Sequence, residues 1–205
     1  MKVVIVDYKM GNIHSVARKL RLLGVEFEIS DNPETILKAE KLILPGVGHF
    51  GKAMNQLKES KLIDVLNEVV IHKKIPILGI CLGMQLMANS SEEGNSEGLG
   101  WIDATVKEFS VNDKLRYKIP HTGWNNIFIK KESAINKYLP ENPEFYFVHS
   151  FHFVPNDKND VLHTTFYESE FVSAVQKNNI VGVQYHPEKS HEVGIQLIKN
   201  FIFEF

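Results

Sequence analysis

A chain of 205 residues, 43% hydrophobic and 23% charged, has the make-up of a globular protein long enough for one well-packed core. Its formal net charge of −2 argues against an electrostatic nucleic-acid binder, and its one cysteine, Cys81, rules out an internal disulfide. No stretch approaches the roughly 18 apolar residues of a membrane span, and Val3 to Val6 is too short for a signal peptide, so a soluble, cytoplasmic protein without a membrane partner is expected.

Val3 to Val6 is an all-apolar, β-branched run of the kind buried on both faces of a sheet. Asn12 to Leu23 reads as a helix, with Ile13, Val16, Ala17, Leu20 and Leu23 at helical spacing and Gly24 as its C-terminal cap. Val25 to Ile29 and Lys41 to Leu44 are the next strands, the second stopping at Pro45-Gly46. Leu57 to Ile71 is expected to form one helix, and Pro76 introduces a central strand over Ile77 to Ile80. Strand and helix alternating in this way imply parallel βαβ units with helices on both faces. Ser90 to Gly100, rich in Ser, Glu, Asn and Gly, is expected to be a mobile surface loop.

The second half changes character. Trp101 to Phe109 and Trp124 to Lys130 read as more exposed strands, and Phe145 to Val148 as a short buried one. Val161 to Phe166, Phe171 to Gln176 and Ile180 to Tyr185 resemble a meander that turns at Asn178-Asn179. His191 to Phe203 closes the chain as an amphipathic helix. With no repeat and no low-complexity linker, residues 1–205 read as a single α/β domain. It is expected to hold a mostly parallel open sheet with helices on both faces, and an added antiparallel strand region in its C-terminal half.

Cys81 stands in Gly79-Ile80-Cys81-Leu82-Gly83, at the end of an apolar strand and the start of a helix-like stretch. This is the pattern of a nucleophile elbow, whose two glycines are needed because side chains there would collide with the strand and helix that pinch the turn. A helix N-terminus beside the sulfur would favour thiolate over thiol. Gln184-Tyr185-His186-Pro187-Glu188 follows another apolar strand and sets an imidazole and a carboxylate two residues apart. Strand carboxyl ends line the crevice of an open parallel sheet, so Cys81, His186 and Glu188 can meet there as nucleophile, base and orienting acceptor. Taken alone, Cys81 could be a buried hydrophobe and His-Pro-Glu a solvated turn. A metal site is a weaker alternative, since no second His or Cys stands at ligand spacing.

Gly-Ile-Cys-Leu-Gly-Met-Gln and the later Tyr-His-Pro-Glu together resemble class I (triad-type) glutamine amidotransferases, over a span from Val3 to the last helix. The resemblance implies a flavodoxin-like fold and hydrolysis of L-glutamine through Cys81, His186 and Glu188, with no metal or organic cofactor. It also implies an oxyanion hole from the N–H of Leu82 and, after a peptide reorientation, of Val47. Glutamine would be held by Gly48, Gln85, Glu93, Ser150 and Phe151.

Three further segments narrow the likeness: Asp7-Tyr8-Lys9-Met10-Gly11-Asn12, Pro45-Gly46-Val47-Gly48 and Pro120-His121-Thr122-Gly123-Trp124-Asn125. Together they look like the glutaminase subunit of imidazole glycerol phosphate synthase. That resemblance implies a heterodimer with a (βα)₈-barrel cyclase, which takes up channelled ammonia in histidine biosynthesis. Tyr8, Lys9, Met10, Asn12 and Trp124 would then lie at the docking face, although Trp124 in an alternating strand could equally be core. The chain departs from the family at Lys9, usually glycine, at Thr122, usually methionine, and at Phe151, commonly tyrosine. The triad is untouched, but the acceptor is left open: a paralogue serving sugar amidation in surface-polysaccharide biosynthesis is the alternative. A catalytically silent scaffold and a flavodoxin-like cysteine hydrolase are less favoured, because the triad is intact and the C-terminal His-x-Glu is present.

Overall fold

A computed structural model describes residues 1–205. The chain opens with β1 (Val3–Val6), α1 (Ile13–Leu22), β2 (Phe27–Ser30), α2 (Pro33–Leu37) and β3 (Lys41–Gly46). Gly24 does cap α1: at φ +68 it lets its own N–H and that of Val25 turn back to the carbonyls of Arg21 and Leu20. That turn consumes Val25, so β2 begins two residues later than its apolar pattern suggests. β3 runs on through Pro45-Gly46, pairing with the next strand as far as Gly46. Proline is tolerated because Pro45 comes after the last β1 pair, at Ile43, where β3 has a partner on one side only.

The helix expected over Leu57 to Ile71 is instead two, α3 (Phe50–Glu59) and α4 (Leu62–Asn67), followed by a π-helical turn at Glu68–His72. Ser60 donates its hydroxyl to Gln56 O (2.7 Å) and Lys61 takes φ +56, so the chain reverses while Leu57 and Leu62 both stay buried. β4 (Ile77–Cys81) and the one-turn α5 (Leu82–Gln85) come next. The stretch expected to be mobile is tied into the sheet: β5 (Ser90–Ser91) pairs with β6 (Ser96–Glu97) and also with β7 (Ala104–Glu108). Polar composition there reflects loops and turns around two short strands.

β8 (His121–Asn126), β9 (Phe128–Ile129), β10 (Glu144–His149), β11 (Phe151–Pro155), β12 (Val161–Tyr167), β13 (Ser169–Lys177), β14 (Ile180–Val183) and α6 (His191–Phe203) complete the chain. The main sheet has twelve strands. Along its path β2-β1-β3-β4-β14 is parallel, and β13 onward is largely antiparallel, with β12 and β9 branching off β13. β8 and β10 form a separate antiparallel ribbon. β11, absent from the sequence reading, follows β10 after the single residue Ser150, so the chain passes from ribbon to main sheet at that point.

Strand alternation divides the core into two layers. Val4, Val6, Leu42 and Leu44 pack with Ile36, Phe50, Leu57 and Leu62 on one face; Val3, Ile5, Ile43, Leu78 and Ile80 pack with Val16, Leu20, Leu197 and Phe201 on the other. No helix is long and apolar enough to cross a membrane.

The β4–α5 elbow is the tightest place in this arrangement. A Cβ on Gly83 would lie 1.8 Å from Leu44 O, and one on Gly79 would lie 2.7 Å from Gly83 O. Both obstacles are backbone and cannot swing aside. Gly83→Ala is therefore expected to cost about 3 kcal/mol or more, the upper end of overpacking effects, read as a lower urea midpoint with an unchanged slope. Gly83→Ala folding at parental stability would contradict this account of the elbow.

Candidate active site

Cys81 is the hinge of the elbow, with φ 54 and ψ −110, a conformation rarely adopted by a residue with a side chain. Such backbone strain, of order 1–3 kcal/mol, persists only where the surroundings over-determine it. Here β4 is held by β3 and β14 on its two sides and the glycine contacts fix the turn. α5 spans only four residues, so less helix stands behind the sulfur than the sequence pattern suggested. The side chain is 7% exposed, and Sγ has two neighbours at hydrogen-bonding range, Gln184 Nε2 at 3.6 Å and Val148 O at 4.0 Å.

β14 is the parallel neighbour of β4, so the chain leaving β14 emerges beside the chain leaving β4. His186 and Glu188 lie on that exit. His186 Nδ1 and Glu188 Oε1 are 2.8 Å apart and both residues are buried, so Nδ1–H donates to the carboxylate and Nε2 is the ring nitrogen left free of it. The backbone is held as firmly: His186 N donates to Tyr146 O (2.8 Å), and the Ser190 hydroxyl donates to His186 O (2.6 Å) while accepting from Tyr146 N (3.0 Å). β10 therefore pins the loop that carries the imidazole. Nε2 of His186 and Oε2 of Glu188 have no hydrogen-bond partner in this resting state. The Cys81 sulfur lies near enough to favour the charged form of the imidazole.

A cavity of about 260 Å³ opens over this pair. It is lined by Cys81, Leu82, Val47, Gly48, Gln85, Glu93, Ser150, Phe151 and His186, so the structure gathers nine of the sequence-selected residues around one space. Glu188 lies behind His186. Pro120, Val148 and His149 line it too; the first opens a segment that carries the family likeness, the second ends a predicted strand, and His149 alone carried no sequence signal. Val47 is exposed and outside the left-handed region, whereas Gly48 takes φ +107, a backbone state that favours glycine. Gln85 spends its amide nitrogen on Phe151 O (3.1 Å) and Gln184 Oε1 (3.0 Å). Glu93 Oε2 accepts from Phe50 N (2.7 Å) at the start of α3. No group of three or more His, Cys, Asp or Glu side chains is gathered as a metal-ligand set.

The residues selected for a docking face divide. Tyr8 is corrected: it is 1% exposed, part of the core layer with Val6 and Leu44, and its hydroxyl faces Gly46, so it offers no surface anchor. Lys9 is exposed at φ +66, a conformation that glycine would reach freely, and is held there by Asp7 (2.9 Å) and Asp31 (3.2 Å). Met10 is half-buried against the core, and Asn12 begins α1 without a side-chain cap. Trp124 is 42% exposed and stacks flat on His191, with centroids 4.8 Å apart and planes 2° apart, which overturns its reading as a core residue.

Buried histidines are pushed in opposite directions. Burial opposes the charged form of His186, but the adjacent Cys81 and Glu188 side chains outweigh it and raise the imidazole to about 10. Burial alone lowers His121 to about 4 and His163 to about 3; it also dominates at His149, lowered to about 3 despite its bond to Phe151 O. His149 and His121 are joined ring to ring (3.1 Å). Since the Nδ1–H of His149 donates to Phe151 O (2.8 Å), its Nε2 must accept from His121, which suits two neutral rings.

Residues 4–205 match the family Glutamine amidotransferase class-I. The chain is 50% identical over 200 residues to an imidazole glycerol phosphate synthase subunit HisH 2 of Methanococcus maripaludis, covering 98% of each. It is 46% identical to the subunit HisH 2 of Pseudomonas aeruginosa, again over 98% of each. Among solved structures, one described as a glutamine amidotransferase aligns with a TM-score of 0.76 at 17% identity, over 97% of this chain and 96% of the other. The PurLQS structure from Thermotoga maritima aligns at 0.73 and 18%, over 98% and 97%. At these identities the structural matches speak for the fold alone.

The histidines give stability a pH dependence of defined sign. A raised imidazole contributes stability that is full below its unfolded value of about 6.5 and is lost as pH rises toward 10. Lowered imidazoles bind protons first in the unfolded chain, so stability is also lost as pH falls from about 6.5 through about 4 to about 3. Melting temperature is expected to peak near pH 6.5, and His186→Gln is expected to flatten only the alkaline side. A slope between pH 6.5 and 10 that survives in His186→Gln would refute the charge assignment of His186.

Proposed function

The chain belongs to the class-I glutamine amidotransferase family, within it to the HisH-type subunits and so to the glutamine-hydrolysing enzymes, and we propose how its residues carry out that reaction. Cys81 attacks the side-chain carboxamide of L-glutamine. The N–H of Leu82 and, after reorientation of its peptide, of Val47 receive the tetrahedral oxyanion, usually the largest electrostatic contribution in acyl transfer. His186, oriented by Glu188, protonates the departing ammonia and then activates the water that hydrolyses the thioester to glutamate. Gly48, Gln85, Glu93, Ser150 and Phe151 hold the substrate. The observation that carries this reading is the single cavity in which the sulfur, the buried imidazole of the His186–Glu188 pair and these five residues face one space.

The relatives' names speak for a subunit of a complex. We take the partner to be a (βα)₈-barrel cyclase that receives the ammonia before water protonates it, and the 205 residues to be a single amidotransferase domain in the cytoplasm. The docking face would contain Lys9, Met10, Asn12 and Trp124, with Tyr8 behind them in the core. The products would be imidazole glycerol phosphate and the aminoimidazole-carboxamide ribotide. Identity of 46–50% over nearly full length to subunits named for that synthase favours this acceptor over sugar amidation.

Cys81→Ala is expected to abolish glutamate release from glutamine by the assembled complex and to leave the melting temperature and partner binding near parental. Glutamate formed at the parental rate would remove Cys81 from the mechanism. Trp124→Ala is expected to weaken complex formation by on the order of 2 kcal/mol, as at an interface hot spot. Its cost in folding stability should stay well below the roughly 3–5 kcal/mol of a core aromatic. Titration of the variant with the cyclase decides it: unchanged affinity would take Trp124 out of the docking face.

A further inference from the structure

Gln184 is fully buried, two residues before His186, and has no part in the mechanism above. Its backbone N–H bonds Ser173 O (2.9 Å), and its side chain lies between Gln85 and Cys81. The orientation of the two amides follows from what each atom can do. Phe151 O can only accept, so the Gln85 atom 3.1 Å away is its nitrogen. The same nitrogen lies 3.0 Å from Gln184, so the Gln184 atom facing it is the carbonyl oxygen. The Gln184 nitrogen is then left facing Cys81 Sγ at 3.6 Å, and the sulfur is the acceptor. A flip of either amide would set two donors or two acceptors against each other in a buried place, where no water can replace the lost bond.

We propose that Gln184 is a positioning residue for the glutaminase reaction, in which its side-chain amide fixes the Cys81 sulfur and ties it, through Gln85, to the main chain of Phe151 at the substrate pocket. The inference rests on the functional reading above for its kinetic part. In the hinge conformation the Cys81 sulfur has one strand neighbour at hydrogen-bonding range, Val148 O at 4.0 Å, and the buried Gln184 amide is the one side chain that bonds it. Because Gln184 and His186 sit on the same β14 exit, nucleophile and base are held from a single segment. The arrangement also limits Gln85: with its nitrogen spent, it meets substrate through its carbonyl oxygen only, and so takes a donor.

Two variants test the proposal. Gln184→Glu keeps an acceptor for Gln85 and, when ionised, removes the donor to sulfur; Gln184→Met removes both in a side chain of similar length. The first readout is alkylation of Cys81 by iodoacetamide at pH 8, which needs neither glutamine nor partner. The second is kcat and KM for glutamine in the complex with the cyclase, with melting temperature as a control. Alkylation and kcat are expected to fall about tenfold or more, as for a displaced reacting atom, while KM stays within about threefold. A purely structural amide would instead lower melting temperature and leave the alkylation rate alone. If Gln184→Glu fails to fold, Gln184→Met decides. Alkylation and kcat both within about twofold of parental in a folded variant would overturn the proposal. A parental complex that releases no glutamate would overturn the functional reading, and alkylation would still decide the role of Gln184.

Discussion

The contact of Gly83 with the carbonyl of Leu44 governs the geometry of the site. With the start of α5 pressed onto β3, the chain leaving β4 has no room for a gradual bend and must turn at one residue. That residue is Cys81, and its unusual backbone angles are the result of the squeeze. The same squeeze brings the Pro45-to-Gly48 loop, the continuation of β3, to the rim of the cavity over the sulfur. Nucleophile and loop are thus set against each other by main-chain sterics, which side-chain motion cannot relax.

The other half of the site is assembled by electrostatics in a dry setting. Glu188 and His186 are both almost fully buried, where an unpaired charge would be very costly, so each depends on the other and on the nearby sulfur. A few residues away, His121 and His149 are stripped of charge by the same burial and act as hydrogen-bonding rings. Phe151 O receives both the His149 ring and the Gln85 amide, so the strand beside the cavity is held from two sides. Ion pair and neutral pair coexist because His186 has the Cys81 sulfur and a carboxylate at 2.8 Å beside it, whereas His121 and His149 bond to each other and to a backbone carbonyl.

The parts legible in the sequence are those set by local rules. Apolar runs located β1, β3, β4 and β14, the glycines around Cys81 marked the elbow, and the His-Pro-Glu spacing marked the ion pair. α6 was legible residue for residue because its amphipathic pattern is uninterrupted. Failures came where a distant partner decides. Tyr8 sits among polar residues and reads as surface, but Gly46 leaves a space beside it that its ring fills. β11 has only Phe153 fully buried and shows little alternation; it is a strand because β7 and β13 lie on either side of it. Gln184, Ser190 and His149 act through residues 103, 44 and 28 positions away, and no local pattern encodes such bonds.

The place of β14 beside β4 has a consequence for the order in which the molecule can be made. The two strands are separated by about a hundred residues, so a nascent chain that has already formed β1 to β4 still lacks His186 and carries an open strand edge along Ile77 to Ile80. Such an edge, without a charged residue, is a site for wrong pairing until it is covered. Insertion of β14 closes the edge and delivers His186 in the same event. Sealing the sheet and completing the Cys81–His186 pair therefore coincide, and a half-synthesised chain holds the thiol without its imidazole.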